Sequence, residues 1–492
     1  MSQLPILILV LPMLLAPVLL ILRNVGIMHS LVTIVLFINF FLTIILFQHV
    51  SSVENILYEV GNWPAPFGIR LNADILSVFF LIIINFMSLL CIASGKNLIE
   101  EQVNKSTSNL FYVAWLLCTT GFSGIILTDD IFNLFVFLEI SSLSSYFLVS
   151  QGNYKGSTVA ALQYLFIGSI AAVFILLSIG IIYMQTGTLN MQDISMKISL
   201  VDYSNSVMLA LGLFLIGIGI KSAMFPLHGW IIKTYAYSPS VVTTFFSGTS
   251  TKIGIYILIR IFFDVFNNIT PLQNYHLSEL IIYLSLFGIL VSTAYAIKQQ
   301  EIKKMLALSS IAQLGYILLV AMLLIPEGIT ASLVHVINHS VIKTGLFLAI
   351  AIIFLNNQNI KLDDLCGLGK KYPLVMGNFI ILSLGLIGIP LTAGFISKWY
   401  IVLAMLKSEY WYFTIVVLIT SFMTFFYIWK MIENIYFKST DNNESVAIKN
   451  YQIACITILT TLTIYFGIDT SLTADVAESI AYDVYYLSLI HI

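Results

Sequence analysis

Charge is scarce in this chain. Only 9% of its 492 residues are Asp, Glu, Lys or Arg, against 59% hydrophobic residues and a mean hydropathy of +0.97. A water-soluble domain carries about 25% charged residues, so a soluble fold is excluded. Cysteine is sparse too. The four present (Cys91, Cys118, Cys366 and Cys455) have neither Cys-x-x-Cys nor Cys/His ligand spacing, and three lie in apolar runs. They read as packing residues, which leaves disulfides and metal binding unsupported. A Gly-rich nucleotide loop, a Walker sequence and a nucleophile elbow are all missing, so no cofactor is expected and nothing supports quinone or flavin binding. The net charge of −2 says nothing about partners.

What the chain does have is a succession of apolar runs of about 20 residues, enough to cross a ~30 Å hydrocarbon layer as helices. Fourteen spans are expected, centred near residues 13, 39, 84, 118, 140, 172, 216, 251, 287, 314, 342, 384, 423 and 461. Lipid offers backbone groups no outside partner, and the runs are too long for barrel strands. The expected fold is therefore an all-α membrane protein. The first run has no basic segment before it and no small-residue cleavage site after it, so it reads as a retained span.

Loops after odd-numbered spans hold Arg23, Lys96, Lys105, Lys155, Lys233, Lys298, Lys303, Lys304, Lys361, Lys370, Lys371, Lys438 and Lys449. Those after even-numbered spans hold little beyond Arg70, Lys197 and Lys407. The positive-inside bias puts both termini on the outer face. There, residues 51–74, with Gly and Pro between short apolar pieces, suggest a hairpin. Residues 471–492 alternate acidic and apolar side chains, and a short interfacial helix is expected.

An internal repeat is faintly visible. LEISSLSSYFLV (138–149) resembles LSSIAQLGYILL (308–319), with Tyr146 and Tyr316 in register. The seventh and twelfth spans, GIGIKSAMFPLHGW and LIGIPLTAGFISKW, both break around Gly and a proline, Pro226 and Pro390. The expected organisation is three helices and an outer loop over 1–108, five-helix units over 109–263 and 277–435, and a last helix and tail over 436–492. Spans 4–8 and 9–13 start from opposite faces, so the units are inverted. Paired interrupted spans in inverted halves point to a transport site at mid-membrane.

The ionisable residues well inside spans are Glu139, Lys221, Lys252, Lys343 and Lys398, with His228, His335 and His339. A charge at mid-membrane costs roughly 2.5–3.5 kcal/mol on insertion scales. Glu139 and Lys221 offset much of that if they meet, since at ~4 Å and an effective dielectric of about 20 they attract by about 4 kcal/mol. Such a pair is open to a purely structural reading. Lys252, however, is one more ammonium than a single carboxylate neutralises. His335, His339 and Lys343 recur every four residues, which stacks them on one helix face. Ser250 and Thr251, with Ser247, Thr249, Ser309 and Ser310, add hydroxyls on or near the same polar faces. A row of Lys and His with a Glu at one end is a candidate proton path, because a buried amine's proton affinity responds to its neighbours and imidazole titrates near neutrality. The two histidines spaced by four resemble a metal pair, but the intervening Val336, Ile337 and Asn338 supply no acid.

These residues and motifs resemble the antiporter-like subunits of Mrp-type cation/proton antiporters, respiratory complex I and membrane-bound hydrogenases. The resemblance covers nearly the whole chain. It rests on Glu139, Lys221-x-x-x-x-Pro226-x-His228-x-Trp230, Lys252-Ile253-Gly254-x-Tyr256, AIKQQEIKKMLALSSIAQLGY (296–316), HVINHSVIKTGLFL (335–348) and GIPLTAGFISKW (388–399). It implies that Glu139 and Lys221 form the coupling pair and that Lys252 is the central relay. It further implies that His335, His339 and Lys343 bridge two half-channels, that Lys398 ends the second, and that His228 supports Lys221 or lines the entrance. Proton and sodium transport alongside other subunits of one membrane complex follows as an expectation.

GNWPAPFGI (61–69) and Lys rather than Glu at 398 resemble the D-type subunits of Mrp antiporters, and a length of 492 without a long C-terminal lateral helix sets the chain apart from the largest members of the family. Two departures stand out. Tyr235 occupies a position where the family commonly has His, and Glu301 replaces an Asp. A proton-pumping subunit of an NADH:quinone oxidoreductase is the runner-up, and a structural scaffold whose charges only pack is the third reading.

Overall fold

The computed structural model describes residues 2–52, 55–153, 155–198, 205–266, 277–355, 359–439 and 446–490. Most of the polar stretch 264–276 and the last two residues of the tail lie outside them. In chain order the helices are α1 (Leu4–Ile21), α2 (Val25–Val50), α3 (Ile75–Gln102), α4 (Ser108–Leu127), α5 (Ile131–Ser150), α6 (Lys155–Thr186) and α7 (Met191–Ile198). There follow α8 (Asn205–Lys221), α9 (Gly229–Tyr237), α10 (Ser240–Gly248), α11 (Ser250–Arg260), α12 (Leu277–Lys298), α13 (Ile302–Ala321) and α14 (Pro326–Ile353). The chain closes with α15 (Pro373–Ile387), α16 (Ala393–Lys407), α17 (Thr414–Phe437), α18 (Asn450–Ile468) and α19 (Val476–Ile490).

Eleven described helices are long and apolar enough to cross a membrane, and the protein is a multi-pass, nearly all-helical membrane protein. The other three expected spans fall on pairs of shorter helices: α8 with α9, α10 with α11, and α15 with α16. Breaks at Pro226 and Pro390 agree with the sequence. The break at Thr249, where φ is −127° and ψ −60°, is additional. Its cause is local competition for backbone carbonyls: the Thr249 hydroxyl donates to Phe245 O at 2.7 Å and that of Ser250 to Phe246 O at 3.2 Å. At the third break Gly388, with φ +89°, turns the chain out of α15 in a left-handed conformation that costs other residues dearly.

Helix starts are set by short polar side chains. Asn24 accepts from the Gly26 and Ile27 amides at 2.9 and 3.2 Å, Asp74 from Ser77 at 2.8 Å, and Asp130 from Asn133 at 2.7 Å. The expected hairpin is present as β1 (Ile56–Glu59) and β2 (Arg70–Ala73), paired antiparallel from Ile56↔Ala73 to Glu59↔Arg70.

The connections gather at two faces. On the hairpin face Asp129 N–H donates to Arg70 O, Arg70 Nε reaches Asp129 Oδ2 at 2.8 Å, and Arg260 bonds Asp74. On the opposite, lysine-bearing face Val103 bridges Gly152, Glu301 bridges Lys361, and Gln102 ties α3 to Ser240 and Leu355.

At the centre stand α13 and α14, each with 94% of its apolar window buried by other helices. α14, which carries His335, His339 and Lys343, and α13, which carries Ser309 and Ser310, are thus enclosed by the rest of the bundle. α14 packs against α10, α13, α15, α16, α18 and α19. The tail is helical as expected, but it lays Ala477, Ile480 and Ala481 against α14.

Candidate functional site

In the first half, Lys221 ends α8 at a helix break. Its Nζ donates to Ser142 Oγ at 2.6 Å and Tyr146 Oη at 3.3 Å, both on the α5 face that carries Glu139. Glu139 lies close enough to act on Lys221 electrostatically. No direct ion pair joins them among the described residues, and Glu139 Oε1 is buried without a hydrogen-bond partner. The hydrogen bonds of Lys221 thus go to α5 hydroxyls and not to the carboxylate.

His228 stacks on Phe225, with ring centres 5.3 Å apart, and its Nδ1 has no partner among the described residues. It lines a cavity of about 450 Å³ that reaches Ser292, Tyr295, Lys298 and Gln299 toward the lysine-bearing face. Trp230 Nε1 caps the open end of α8 by donating to Ile220 O at 2.8 Å. Tyr235, the departure from the family pattern, does similar service at the next break: its hydroxyl donates to Phe246 O at 3.0 Å.

Lys252 is fully buried one turn beyond the Thr249 break, and its ammonium donates to Ser247 O. That carbonyl belongs to the last turn of α10, where helix carbonyls lack internal partners and a cation is favoured. Ser250 and Thr251 are buried beside it. Gly254 brings α11 against the α8 break, since a Cβ there would lie 2.7 Å from the backbone of Ser222, next to Lys221.

In the second half, Lys343 donates to Leu306 O at 3.0 Å and to Ser309 Oγ. His335 is held from both sides, Nδ1 by Ser397 at 2.9 Å and Nε2 by Gln313 at 3.0 Å. His339 lies parallel to His335, ring centres 6.2 Å apart, with both ring nitrogens buried and unpartnered among the described residues. Lys252 acts electrostatically on His335, His339 and Lys343, and Lys398 on His335. Lys398 donates to Leu386 O, Ile387 O and Ser421 Oγ at 3.2, 2.7 and 2.8 Å. It thereby caps the C-terminal end of α15 as Lys252 caps α10. Buried ammonium groups are tolerated here without carboxylates because broken helices aim carbonyl dipoles at them.

Sequence reasoning left Lys303 among the surface lysines. The structure buries it, 3% exposed, with Nζ donating to Ser240 Oγ at 3.1 Å. Its neighbour Lys304 turns outward to Glu301 at 2.7 Å. The available signal was helical phase, since 303, 306, 310 and 313 share the α13 face that meets Lys343 and His335. Among the described residues no group of three His, Cys, Asp or Glu side chains is placed to hold a metal.

Residues 128–424 match the family profile described as NADH:quinone oxidoreductase/Mrp antiporter, TM. The N-type subunit of the NADH-quinone oxidoreductase of Desulforudis audaxviator is 38% identical over 77% of this chain and 75% of its own length. The D-type subunit of the Na(+)/H(+) antiporter of Alkalihalophilus pseudofirmus is 28% identical over 88% of this chain and 86% of its own. In the solved Mrp complex from Dietzia sp., one chain superposes with a TM-score of 0.89 over 100% of this chain and 98% of that one. At 24% identity the likeness is one of fold.

Proposed function

The chain belongs to the NADH:quinone oxidoreductase/Mrp antiporter transmembrane family, and on that footing we propose that it is the proton-translocating subunit of a multisubunit cation/proton antiporter, with Na⁺ as the exchanged cation. Protons move along Glu139, Lys221, Lys252, Lys343, His339, His335 and Lys398, supported by His228, Ser250 and Thr251. Residues 109–263 and 277–435 serve as inverted half-channels joined at Lys252, and both termini lie on the outer face. Other subunits of the same complex are its partners.

One observation carries this reading. Five buried titratable groups lie close together across three helices: Lys252 on α11, Lys343, His339 and His335 on successive turns of α14 with the two imidazoles stacked 6.2 Å apart, and Lys398 on α16 next to Ser397, which bonds His335. Among these five there is no carboxylate, so a set of packing ion pairs does not account for them. A proton arriving at one amine lowers the affinity of the next, which is what a relay requires. His228, in the cavity that extends to Lys298, suits an inlet role. A Lys221 bonded to hydroxyls, with Glu139 on the same α5 face and no direct bond between them, suits a pair whose contact is made and broken during turnover.

The test is sodium-dependent pH change in vesicles containing the whole complex. Glu139→Ala and Lys252→Ala each abolish it while the complex still assembles; normal flux in either variant refutes the assignment. The oxidoreductase relative from Desulforudis audaxviator supports a second reading, a proton-pumping subunit of a respiratory oxidoreductase. Lys398 and the GNWPAPFGI loop favour the antiporter. Mass spectrometry of the purified complex separates them: small antiporter subunits for the first, flavin and iron–sulfur subunits for the second.

A further inference from the structure

One helix touches every member of the second-half row except His339. From the lysine-bearing end of α13 upward, Leu306 O and Ser309 Oγ bond Lys343, Gln313 Oε1 bonds His335 at 3.0 Å, and the Tyr316 ring lies 5.8 Å from Lys398 Nζ. With ~1.5 Å of rise per residue, the contacts from 303 to 316 span about 20 Å, most of the hydrocarbon depth. The first position on this rail is Lys303, one turn below Leu306.

Lys303 is buried, and its one hydrogen bond among the described residues goes to Ser240 Oγ at 3.1 Å. An ammonium has three donors, so this one is under-satisfied, as is Lys252 with its single carbonyl, whereas Lys398 has three acceptors. Ser240 is fixed in turn. Its amide donates to Gln102 Oε1 at 2.6 Å, while Gln102 Nε2 donates to Ser240 Oγ at 3.3 Å and Leu355 O at 2.6 Å. Ser240 begins α10, whose far end supplies Ser247 O to Lys252. Lys303 thus stands at the foot of two short helical paths, α10 to Lys252 and α13 to Lys343. Next to it in the chain, the main-chain pairings Ile302 N–Ile360 O and Leu362 N–Gln300 O fix the start of α13 at the lysine-bearing face.

Resting on the relay reading above, we infer that Lys303 is the proton-loading group through which that face exchanges protons with the Lys252/Lys343 pair. Its neutral amine takes a proton from a hydronium ion at that surface: one N–H bond forms as one O–H bond breaks, and a water molecule is left. The resulting ammonium then passes a proton through intervening water to the neutral amine of Lys343 or Lys252. One bond forms as another breaks, and Lys303 returns to its starting state. A staple between α10 and α13 needs only a donor to Ser240; a loading group needs a donor that gives up its proton.

Three substitutions separate these roles in the intact complex. Lys303→Gln keeps a donor and loses the charge, Lys303→Arg keeps the charge without a usable deprotonated form, and Lys303→His restores a titratable base. With the complex assembled, sodium-dependent proton flux falls at least tenfold in the Gln and Arg variants, and the His variant retains more than either. Near-normal flux in the Gln or Arg variant overturns the inference, as does loss of either from the complex, which would make Lys303 a staple. Lys252→Ala run alongside keeps the two ideas apart. If it still transports, the relay itself is wrong; if it is dead while Lys303→Gln is normal, only the loading role is lost.

Discussion

Lys221 Nζ lies 5.8 Å from the ring centre of Tyr146. In the other half Lys398 Nζ lies 5.8 Å from that of Tyr316. The tyrosines are the pair in register in the two similar segments, and each lysine stands beside a helix break. A recurrent amine–aromatic contact, worth roughly 0.5–2 kcal/mol according to its exposure to water, supports the proposal that 109–263 and 277–435 are related halves. The halves differ in what holds the amine: hydroxyls of α5 alone for Lys221, two carbonyls of α15 together with the Ser421 hydroxyl for Lys398.

That difference predicts unequal responses to losing a hydroxyl. Ser142→Ala removes the 2.6 Å partner of Lys221. A hydrogen bond to a charged group contributes about 1.5–3 kcal/mol, so the initial rate of sodium-dependent pH change falls about tenfold or more. Tyr316→Phe leaves the ring under Lys398 and removes only a bond between its hydroxyl and Thr420, at 2.7 Å. Its rate stays within about twofold of wild type. Equal losses in the two variants would contradict the assigned supports.

Lys398 is expected to tolerate neutralisation better than reversal. In Lys398→Glu a carboxylate replaces the cation facing the Leu386 and Ile387 carbonyls, leaving buried acceptors against acceptors. The unsatisfied groups cost about 1–3 kcal/mol each. Lys398→Met abolishes flux yet leaves the complex assembled, whereas Lys398→Glu lowers the recovered complex. The check is yield and thermal unfolding of the detergent-purified assembly. Better survival of the Glu variant would mean that the carbonyls of α15 do not face residue 398.

Gly388 makes that capping possible. It holds φ +89°, and a Cβ placed there would lie 2.9 Å from Lys398 Cδ. Gly388→Ala therefore strains the turn by roughly 1–2 kcal/mol and displaces the lysine stem as well. The expected outcome is a lower unfolding temperature together with reduced flux. A variant as stable as wild type with full flux would show the turn to be free to relax.

Much of this arrangement was legible from residue order alone. Proline and glycine announced the breaks at 226 and 390, and four-residue spacing announced that His335, His339 and Lys343 share a face. The Thr249 break escaped because it depends on hydroxyls taking carbonyls, which no periodicity records. Lys303 escaped because a lysine doublet near a loop looks like surface charge, and only the turn of α13 separates its two members. The lack of direct contact between Glu139 and Lys221 was hidden for another reason: opposite charges on neighbouring helices suggest an ion pair, and side-chain reach is decided by packing.

His339 provides the sharpest contrast between stability and transport. Both its ring nitrogens are buried without partners among the described residues, between His335 on one side and the ammonium groups of Lys252 and Lys343 on the other. An unpartnered buried polar group costs about 1–3 kcal/mol, and replacing it with an apolar group of similar shape is often neutral or stabilising. A relay site accepts that cost in order to hold water between amines, and a water needs two to four polar partners of the kind found here. His339→Leu should therefore abolish sodium-dependent proton flux while leaving the unfolding temperature of the complex unchanged or higher. A high-resolution map of the wild-type complex should show water within hydrogen-bond distance of a His339 nitrogen, and that water should be missing in the variant. A destabilised but transporting His339→Leu protein would assign the imidazole to packing and remove the bridge between the two halves.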